Sequence, residues 1–472
     1  MISNGIVFEV ETGRILKILA SEIYDSPLAL LRENLQNAYD AIRIAFVPNN
    51  RPLSEGRITI EVSPTQVTIV DNGIGMTEQV LRNNFWRAGS SGKRSDAARK
   101  AGVVGTFGIG AMANFGVCTK LTVITRTAES THTLRSVAER DTLSISKECI
   151  SLELLDQPTD VGTTVIADLD PQAGITADAA RQYLLPYVCL LPVAVYLNGS
   201  LISQQSVEER LQIPKRSFES VGVSTISDRG IEARVDVQAD SNSLVLARVS
   251  ELSIGGVRVE GYLALVQGGG PLFGLRSSFG LAPIPIASTF QFGGIADLTT
   301  LLPTAGREAI SRESIDEVSR IVAVVEKAVA ASLANSEHAD RNTAFIQYVA
   351  STSGNDLAAK ISIHVWPDDK DVPLGQVRVH AGRRQLLFYT GREEQIIRTF
   401  ASENTLLLQM AQAAPRRLVQ QRYVTERLKV ASVPDTAQII KVCPGPGLPP
   451  GAGSLAVRLA GALRADYLRA VL

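Results

Sequence analysis

Four separated segments of the chain carry residue types whose spacing could do chemistry. In the first, Glu33 and Asn37 stand four residues apart in LALLRENLQNAYDAIRIAF, so on a helix both side chains project to the same side. An amide oxygen suits Mg²⁺, and a nearby carboxylate can orient and deprotonate water. A solvated polar helix face is the alternative interpretation of this pair.

The second segment is DNGIGM, residues 71–76. The carboxylate of Asp71, at the end of a strand, can accept a hydrogen bond from the amino group of adenine. Gly73 and Gly75 let the backbone approach the base and adopt conformations that a side chain would penalise. A tight turn without a ligand is the alternative interpretation.

The third segment is GTFGIGAMANF, residues 105–115, a glycine-spaced loop that runs into a helix. The free amide groups at such a helix start can hold phosphates. The fourth is GTTV, residues 162–165, where Thr163 could reach the base or the Asp71 carboxylate. The joint occurrence and order of the four segments, more than any one of them, indicate a nucleotide site.

The periodicity of the chain predicts the elements that must position these residues. Ser26 and Pro27 predict a helix start, and the helix that follows has an apolar stripe beside one that carries Glu33, Asn37 and Asp40.

Strands are predicted around this helix. Residues 57–62 and 66–70 predict a hairpin that delivers Asp71, and RAGSSGKRSDAARKAG has no strong period, so we expect a lid there. Further strands are predicted over LTVITRT, HTLRSVAE, residues 146–155 and GTTVIADL. The first region should therefore be a sandwich of helices on a mostly antiparallel sheet.

The rest of the chain alternates helices and strands. A helix over 179–191 should lead to VAVYLNGSLI, a hairpin with an Asn-Gly turn. Residues 217–300 are strand-rich, and 315–333 predict a long helix. From about 340, we expect ISIHVW, GQVRVHA and RQLLFYTG to be strands between helices. CPGPGLPPGAGS predicts a linker before a terminal amphipathic helix.

Composition limits the class of protein. The 472 residues predict about three domains, and 45% hydrophobic with 20% charged residues is ordinary for a globular protein. A net charge of −1 argues against electrostatic binding of nucleic acid along the whole chain. It does not exclude binding at a local basic patch. The cysteines are scattered and do not have the spacing of metal ligands, so they predict reduced thiols. The N-terminal sequence lacks signal-peptide features, so we expect a cytoplasmic protein without a membrane segment. The cysteines are Cys118, Cys149, Cys189 and Cys443.

On these motifs the chain resembles the GHKL ATPases (gyrase, heat-shock chaperone, histidine kinase and MutL), and within them the ninety-kilodalton heat-shock chaperones. LLRENLQNAYDA is similar to that family's nucleotide-binding helix, and DNGIGMTEQVLRNNFWRAGSSGK reproduces its spacing from the aspartate to the Asn-Asn pair and the lid. GTFGIGAMANF resembles the chaperones' glycine loop more than the versions in MutL or the histidine kinases. The resemblance covers residues 8–335 and is absent beyond.

The resemblance implies a role for each matching residue. Glu33 would be the water-activating base, Asn37 the Mg²⁺ ligand, Asp71 the acceptor for the adenine amine and Thr163 its assistant. The other nucleotide-binding residues would be Asp40, Gly75, Met76, Asn84, Ser91, Gly92, Gly105, Phe107, Gly108, Ile109 and Gly110.

The resemblance also implies a cation from the following domain. LLPTAGREAISRESIDEVSRIV is similar to a chaperone middle-domain loop that ends in Ser-Arg-Glu, but it is one residue shorter. Counting back from Arg320 indicates Arg307 as the arginine that contacts the terminal phosphate, with Arg312 as the competing choice. Both could instead be solvated residues near a helix start.

The predicted fold class is α+β. A GHKL (Bergerat) ATPase sandwich over 1–172 would precede a strand-rich α/β middle domain over 173–338. A small α/β C-terminal domain over 339–442, a Pro/Gly linker over 443–454 and a terminal helix over 455–472 would follow.

The predicted function is a chaperone-like, Mg²⁺-dependent ATPase that binds ATP and ADP, closes a lid and associates as a homodimer. Its partner would be a protein client or an operon partner. A MutL-like or defence-system ATPase that acts as an ATP-gated clamp on DNA is the alternative, and a nucleotide sensor without turnover is a third. Glu33 argues against the sensor, because sensors tend to lose that carboxylate.

Overall fold

The computed structural model describes residues 26–87, 110–144, 147–213, 218–304, 309–352, 354–433 and 451–465. The chain divides into two compact units, which meet in sequence between Tyr348 and Val349. Within the described residues, no helix has the length and apolar character needed to cross a membrane.

The first unit begins with an eight-stranded sheet in the order β5-β4-β3-β6-β2-β1-β7-β8. Every neighbouring pair is antiparallel except β1 and β7, which are parallel. The strands are β1 (Arg57–Val62), β2 (Gln66–Asp71), β3 (Cys118–Arg126), β4 (Thr133–Glu139), β5 (Ile150–Leu155), β6 (Gly162–Leu169), β7 (Ala194–Leu197) and β8 (Ser200–Leu201). The predicted hairpin before Asp71 is confirmed.

Helix α1 (Ala29–Phe46) packs on this sheet beside β2. Its apolar residues Leu31, Leu35 and Ile42 are fully buried. The Oγ atom of Ser26 accepts a hydrogen bond of 3.2 Å from the Leu28 amide, so the predicted Ser-Pro start lies three residues before the first helical residue. α1 is long because its interior has no glycine, proline or β-branched run to interrupt it.

Four further short helices lie among the described residues of this part of the chain. They are α2 (Glu78–Val80), which continues as a π-helical turn over Leu81–Phe85, α3 (Gly110–Phe115), α4 (Ala177–Val188) and α5 (Val207–Arg210). Thr77 and Thr176 cap α2 and α4 with their hydroxyls, as small polar residues do where the first amides lack a helical partner. The predicted loop-to-helix segment thus ends in a helix whose first residue is Gly110.

The hairpin of β7 and β8 confirms the prediction from the Asn-Gly pair. Asn198 and Gly199 have φ values of 45° and 77°, which a two-residue turn of this hand requires. Because β7 pairs with β1, this hairpin adds two strands to the edge of the first sheet, and β8, which ends at residue 201, is the edge strand.

The second sheet of the first unit confirms the strand-rich prediction for residues 217–300. Its order is β15-β14-β16-β13-β11-β10-β9, with β12 paired to β11, and β14 and β16 are parallel. The strands are β9 (Glu219–Asp228), β10 (Ile231–Ala239), β11 (Val245–Ile254), β12 (Val257–Arg258), β13 (Gly261–Gln267), β14 (Leu272–Arg276), β15 (Phe279–Ile284) and β16 (Phe292–Leu298). Helix α6 (Arg312–Ala334) packs on β9 and β10 with Val318, Ile321 and Val325 buried. Helix α7 (Thr343–Thr352) follows.

The second unit contains a five-stranded sheet in the order β18-β17-β20-β19-β21. Its elements are α8 (Asn355–Ala358), β17 (Ser362–Trp366), β18 (Lys370–Pro373), α9 (Val377–Ala381), β19 (Gln385–Tyr389), α10 (Glu394–Phe400), β20 (Thr405–Gln409), α11 (Ala414–Arg422), β21 (Ala431–Ser432) and, after residues outside the description, α12 (Ala452–Ala465). ISIHVW and RQLLFYTG are strands as predicted.

The strand prediction for GQVRVHA is wrong, because this segment forms a short helical turn and α9. Val377 and Ala381, four residues apart, are buried, whereas Val379 is 85% exposed. Alternation of valine with polar residues over only five positions is compatible with both the strand period of two residues and the helical period of 3.6. Packing of one helical face against the core favoured the helix.

The α+β prediction, with helices on a mostly antiparallel sheet followed by strand-rich sheets, is confirmed. The predicted domain limits stay predictions.

Candidate nucleotide site

Asp71 is the last residue of β2, and its side chain is buried with 8% exposure. Its Oδ1 atom accepts a hydrogen bond of 2.8 Å from the Gly73 amide, and the Thr163 amide is a second donor to the carboxylate. Burial raises the pKa of Asp71 to about 7, against the lowering effect of these two amides. A carboxylate with so little compensation favours a further hydrogen-bond donor.

Thr163 lies beside Asp71, because β2 and β6 pair these two residues in register. Its hydroxyl lies 3.0 Å from the hydroxyl of Thr125, which donates to the carbonyl of Gly162 at 3.1 Å. The Thr125 hydroxyl also accepts from the Met76 amide at 2.9 Å. Thr125 therefore joins β3, β6 and the glycine loop.

Thr125 was missed by the sequence analysis. It is only 1% exposed. The one sequence feature that could have indicated Thr125 is its polar side chain near the end of the apolar strand LTVITRT. Nothing in the sequence shows that β3 and β6 are neighbours.

The loop after Asp71 has no room for side chains at its glycines. A Cβ on Gly73 would lie 2.7 Å from backbone and side-chain atoms of Ala41 on α1. Gly75 has a φ of 69°, and its Cβ would lie 2.1 Å from the carbonyl oxygen of Arg126. The Ile74 amide donates to the Ala41 carbonyl at 3.2 Å, so the loop is held between α1 and β3.

Three predicted residues lie along α1 on one side. Glu33 and Asp40 are each 1% exposed, whereas Asn37 between them is partly exposed. A carboxylate oxygen of Glu33 lies 3.8 Å from an Nη atom of Arg32, which is buried as well. The Asn37 amide is thus the accessible group of this row and could reach a metal ion, while Glu33 lies in an environment with little water.

Arg32 ties this row to α4. Its guanidinium carbon lies 5.4 Å from the centroid of the Tyr187 ring, and its Nη1 atom lies 3.5 Å from the Tyr187 hydroxyl. A cation over an aromatic face is favourable when water is excluded.

A buried amide pair joins α1 to α3, the helix that follows the glycine-rich segment. The Nδ2 atom of Asn34 donates to Oδ1 of Asn114 at 2.7 Å, and Asn114 is 0% exposed. Sequence reasoning missed this pair too, since two asparagines 80 residues apart carry no pattern.

Asn84 lies half-buried in the π-helical turn Leu81–Phe85. Two residues on, the Trp86 indole donates to the Ser136 hydroxyl on β4 at 3.0 Å and lies 6.4 Å from the Phe115 ring. The turn is thereby attached to the sheet and to the end of α3.

Several predicted residues lie outside the described residues. They are Arg307 and the lid and loop residues Ser91, Gly92, Gly105, Phe107, Gly108 and Ile109. Gly110 is the first residue of α3, and the competing arginine, Arg312, is exposed in the first turn of α6, after the cap Ser311.

The structure brings together two groups of predicted residues. Asp71, Gly75, Met76 and Thr163 meet at the end of β2, and Glu33, Asn37 and Asp40 line α1. Among the described residues, no three His, Cys, Asp or Glu side chains form a metal-binding group. The partly exposed Asn37 offers an amide oxygen, a ligand type that Mg²⁺ accepts.

Comparison with known proteins agrees with this geometry. Residues 28–168 match a family model described as histidine kinase-, DNA gyrase B- and HSP90-like ATPase. The matched range includes α1, the Asp71 loop and β6.

Three curated relatives are each named chaperone protein HtpG. The one from Rhodopseudomonas palustris (strain HaA2) is 33% identical over 137 residues, which are 26% of this chain and 22% of the relative. The one from Vesicomyosocius okutanii is 30% identical over 174 residues, 34% of this chain and 27% of the relative. The one from Clostridium acetobutylicum is 34% identical over 136 residues, 26% of this chain and 22% of the relative.

The chain thus spans about a quarter of the length of the curated relatives it matches. The matches confirm the predicted resemblance to the GHKL ATPases and to the heat-shock chaperones among them.

Proposed function

We propose that the chain binds ATP in the site between α1, the Asp71 loop and β6, since residues 28–168 match a family model described as histidine kinase-, DNA gyrase B- and HSP90-like ATPase. The observation that carries this proposal is the buried Asp71 carboxylate at the end of β2. It has two backbone donors and a raised pKa. An N–H donor such as the adenine amine would compensate the negative charge of the Asp71 carboxylate. Because Gly73 and Gly75 have no side chains, the loop leaves room for a planar base to approach.

Asn37 is the proposed ligand of Mg²⁺, since it is the partly exposed member of its row on α1. When bound, the ion would neutralise phosphate charge. The proposed phosphate contacts are the backbone amides of residues 107–110, the last of which begins α3. The buried Asn34–Asn114 bond holds the start of α1 against α3, so the catalytic helix and the phosphate-binding helix would keep a fixed distance.

Glu33 is the proposed general base. It would orient a water molecule toward the terminal phosphate and take its proton. The contact with Arg32 holds the Glu33 carboxylate in place at 1% exposure. A base held in a site with little water keeps its geometry during phosphoryl transfer.

The finer proposal is a chaperone-like cycle in which ATP closes the lid over 87–102, brings Arg307 or Arg312 to the terminal phosphate and drives homodimerisation in the cytoplasm. The HtpG matches support the chaperone class over the nucleotide-binding part.

The test combines binding, turnover and activity toward a client. Purified protein should bind ATP and ADP in a calorimeter in the presence of Mg²⁺ and release phosphate from ATP, and it should suppress aggregation of a heat-denatured protein in an ATP-dependent manner. Absence of ATP binding would refute the site. ATP-dependent retention on circular DNA without suppression of aggregation would replace the chaperone with the clamp, and binding without turnover would favour the sensor.

A further inference from the structure

A short hairpin of the second sheet lies against α1. Strands β14 and β15 are joined by Ser277 and Ser278, whose φ values are 53° and 66°, so the chain reverses in two residues. The Tyr39 hydroxyl on α1 donates to the Ser277 carbonyl at 2.8 Å. The Oδ2 atom of Asp297 on β16 accepts from the Ser278 amide at 2.8 Å and from the Ser278 hydroxyl at 3.3 Å. The turn is therefore bonded both to α1 and to its own sheet.

Phe279, the first residue of β15, brings an aromatic ring into contact with two helices. Its ring centroid lies 6.2 Å from that of Tyr39 on α1 and 6.4 Å from that of Tyr187 on α4, and the ring planes differ by 22° and 29°. Phe279 is 1% exposed, and Tyr39 is fully buried. Rings at this separation and angle interact favourably beyond the effect of burial alone.

The backbone of the hairpin contacts α4 as well. A Cβ on Gly280 would lie 2.5 Å from the Pro186 carbonyl oxygen and 2.7 Å from the Cα atom of Tyr187. Because glycine stands at this position, the backbone of β15 comes within contact distance of α4. Tyr187 thus meets the hairpin with both its backbone and its ring.

Tyr187 extends this contact to the proposed base. The Arg32 guanidinium carbon lies 5.4 Å from the centroid of the Tyr187 ring, and the Nη1 atom of Arg32 donates to the Tyr187 hydroxyl at 3.5 Å. An Nη atom of Arg32 lies 3.8 Å from a carboxylate oxygen of Glu33. Arg32 and Glu33 are each 1% exposed, so little water competes with these contacts.

The series of contacts begins and ends on α1. It runs from Glu33 through Arg32 to Tyr187 on α4, then to Phe279 on β15 and back to α1 at Tyr39. Glu33 and Tyr39 are six residues apart on the same helix. Phe279 is the member of the series that belongs to the second sheet, and its ring links α4 to α1.

We propose that Phe279 is a positioning residue for the proposed base, because its ring holds Tyr187 over Arg32 and thereby keeps the Glu33 carboxylate in place. This inference rests on the proposed function, since it concerns the residue that would activate water. The position of the second sheet on α1 then sets the rate of ATP hydrolysis.

Adenine binding is independent of this series of rings. The amides that hold the Asp71 carboxylate belong to Gly73 and Thr163. A change at Phe279 therefore acts on kcat and leaves nucleotide affinity close to that of the wild type.

The first experiment needs no nucleotide. A double-mutant cycle of Phe279→Leu and Tyr187→Leu is measured by chemical unfolding of the full chain, and leucine is chosen because it keeps an apolar side chain at both positions. The unfolding equilibrium constant of the double variant should depart from the product of the single effects by about threefold or more, since stacked rings are coupled. Effects that multiply without such a departure would overturn the contact, whether or not the protein hydrolyses ATP.

The matched control is Phe292→Leu on β16 of the same sheet. Phe292 is 3% exposed, and its ring lies 5.4 Å from that of Phe290. It stands five residues before Asp297, which places it about 16 Å along the strand from the residue that holds the turn. In a cycle with Tyr187→Leu, its effect should multiply within about twofold.

The second experiment measures kcat and KM for ATP and the Kd for ADP. Phe279→Leu should lower kcat about tenfold and leave KM and Kd within about twofold. Tyr187→Leu should lower kcat to a similar extent, whereas Tyr187→Phe keeps the ring beneath Arg32 and should retain kcat within about threefold. Phe292→Leu should weaken folding as Phe279→Leu does and leave kcat unchanged. Equal kcat in Phe279→Leu and Phe292→Leu, or equal losses in Tyr187→Phe and Tyr187→Leu, would overturn the positioning role.

The two proposals fail differently. Wild-type protein without ATP turnover refutes the role of Glu33 and with it the positioning role, while the unfolding cycle still decides the contact between Phe279 and Tyr187. Wild-type turnover together with an unaffected Phe279→Leu variant retains the proposed function and removes the inference.

Discussion

The Arg32 guanidinium lies 3.8 Å from the Glu33 carboxylate, and both side chains are almost entirely buried. The guanidinium group of Arg32 also lies over the face of the Tyr187 ring. The proposed base is therefore tied through one arginine to α4, whose residues Pro186 and Tyr187 contact the second sheet.

Replacing Arg32 should destabilise the protein. Arg32→Ala removes the cation beside the buried Glu33 charge, and breaking such a pair costs about 3 kcal/mol of unfolding free energy. The measurement is urea unfolding. Arg82→Ala, which breaks an exposed pair with Glu78, is the control and should change the unfolding free energy by about 0.5 kcal/mol or less. A loss no larger than that of the control would show that Arg32 contributes nothing specific.

Glu33 should be needed for turnover and not for binding. Glu33→Gln keeps the size of the side chain but removes its ability to accept a proton, so the ATPase rate should fall by about 10²-fold or more. Titration calorimetry should give an ATP affinity close to that of the wild type. If Glu33→Gln hydrolyses ATP at the wild-type rate, the base has been assigned to the wrong residue.

Asp71 predicts a pH dependence of binding. Its pKa in the folded protein is about 7, and an adenine amine donates to the ionised form, so ADP affinity should rise as the pH increases from 5 to 8. Asp71→Asn should weaken ADP binding strongly and abolish this dependence. An ADP affinity that is flat with pH in the wild-type protein would contradict the assignment.

The same group predicts the sign of a stability change. Because the pKa of Asp71 in the folded protein lies above the ordinary aspartate value of 3.8, the folded protein holds a proton that the unfolded chain has lost between about pH 4 and 7. The contribution of Asp71 is therefore greatest below pH 4 and is lost as the pH rises through about 7. Unfolding experiments should show that the difference between Asp71→Asn and wild type shifts in favour of the variant by about 4 kcal/mol over this range.

Gly162 should not tolerate alanine. Its φ is 137°, and an added Cβ would lie 2.0 Å from the Asp71 carbonyl oxygen, so β6 would be forced away from the site. We expect a loss of about 3 kcal/mol of unfolding free energy together with loss of ADP binding. Gly199→Ala is the control, since its φ is 77° but nothing lies within 4 Å, and it should cost about 1 kcal/mol with unchanged binding. Comparable effects of the two changes would contradict the steric argument.

Thr125 should support the loop through its hydroxyl. Thr125→Val keeps the shape but leaves the Met76 amide without its acceptor, which should cost about 1–3 kcal/mol of unfolding free energy and weaken ADP binding. Thr119→Val on the exposed side of β3 is the control and should be close to neutral. An ADP affinity of the Thr125 variant equal to that of the control would remove Thr125 from the site.

Much of the first domain followed from the sequence because its signals are local. Six-residue alternation gave β1 and β2, the apolar stripe gave α1, and Asn198-Gly199 gave the hairpin, since each of these depends on residues within one or two turns of chain. The GHKL resemblance rests on such local segments as well, and it placed Asp71 and Thr163 in the same site.

Residues whose roles depend on distant partners could not be predicted. Thr125 bonds the Met76 amide beside β6 because β3 pairs with β6, and Asn114 bonds Asn34 because α3 contacts α1. Tyr39 bonds the Ser277 carbonyl because the turn between β14 and β15 lies on α1. GQVRVHA became helical because packing buried Val377 and Ala381 on one side. The sequence by itself determined which segments resemble the GHKL ATPases, whereas only the tertiary structure decided which side chains meet, because burial and strand register are set by contacts between residues far apart in the chain.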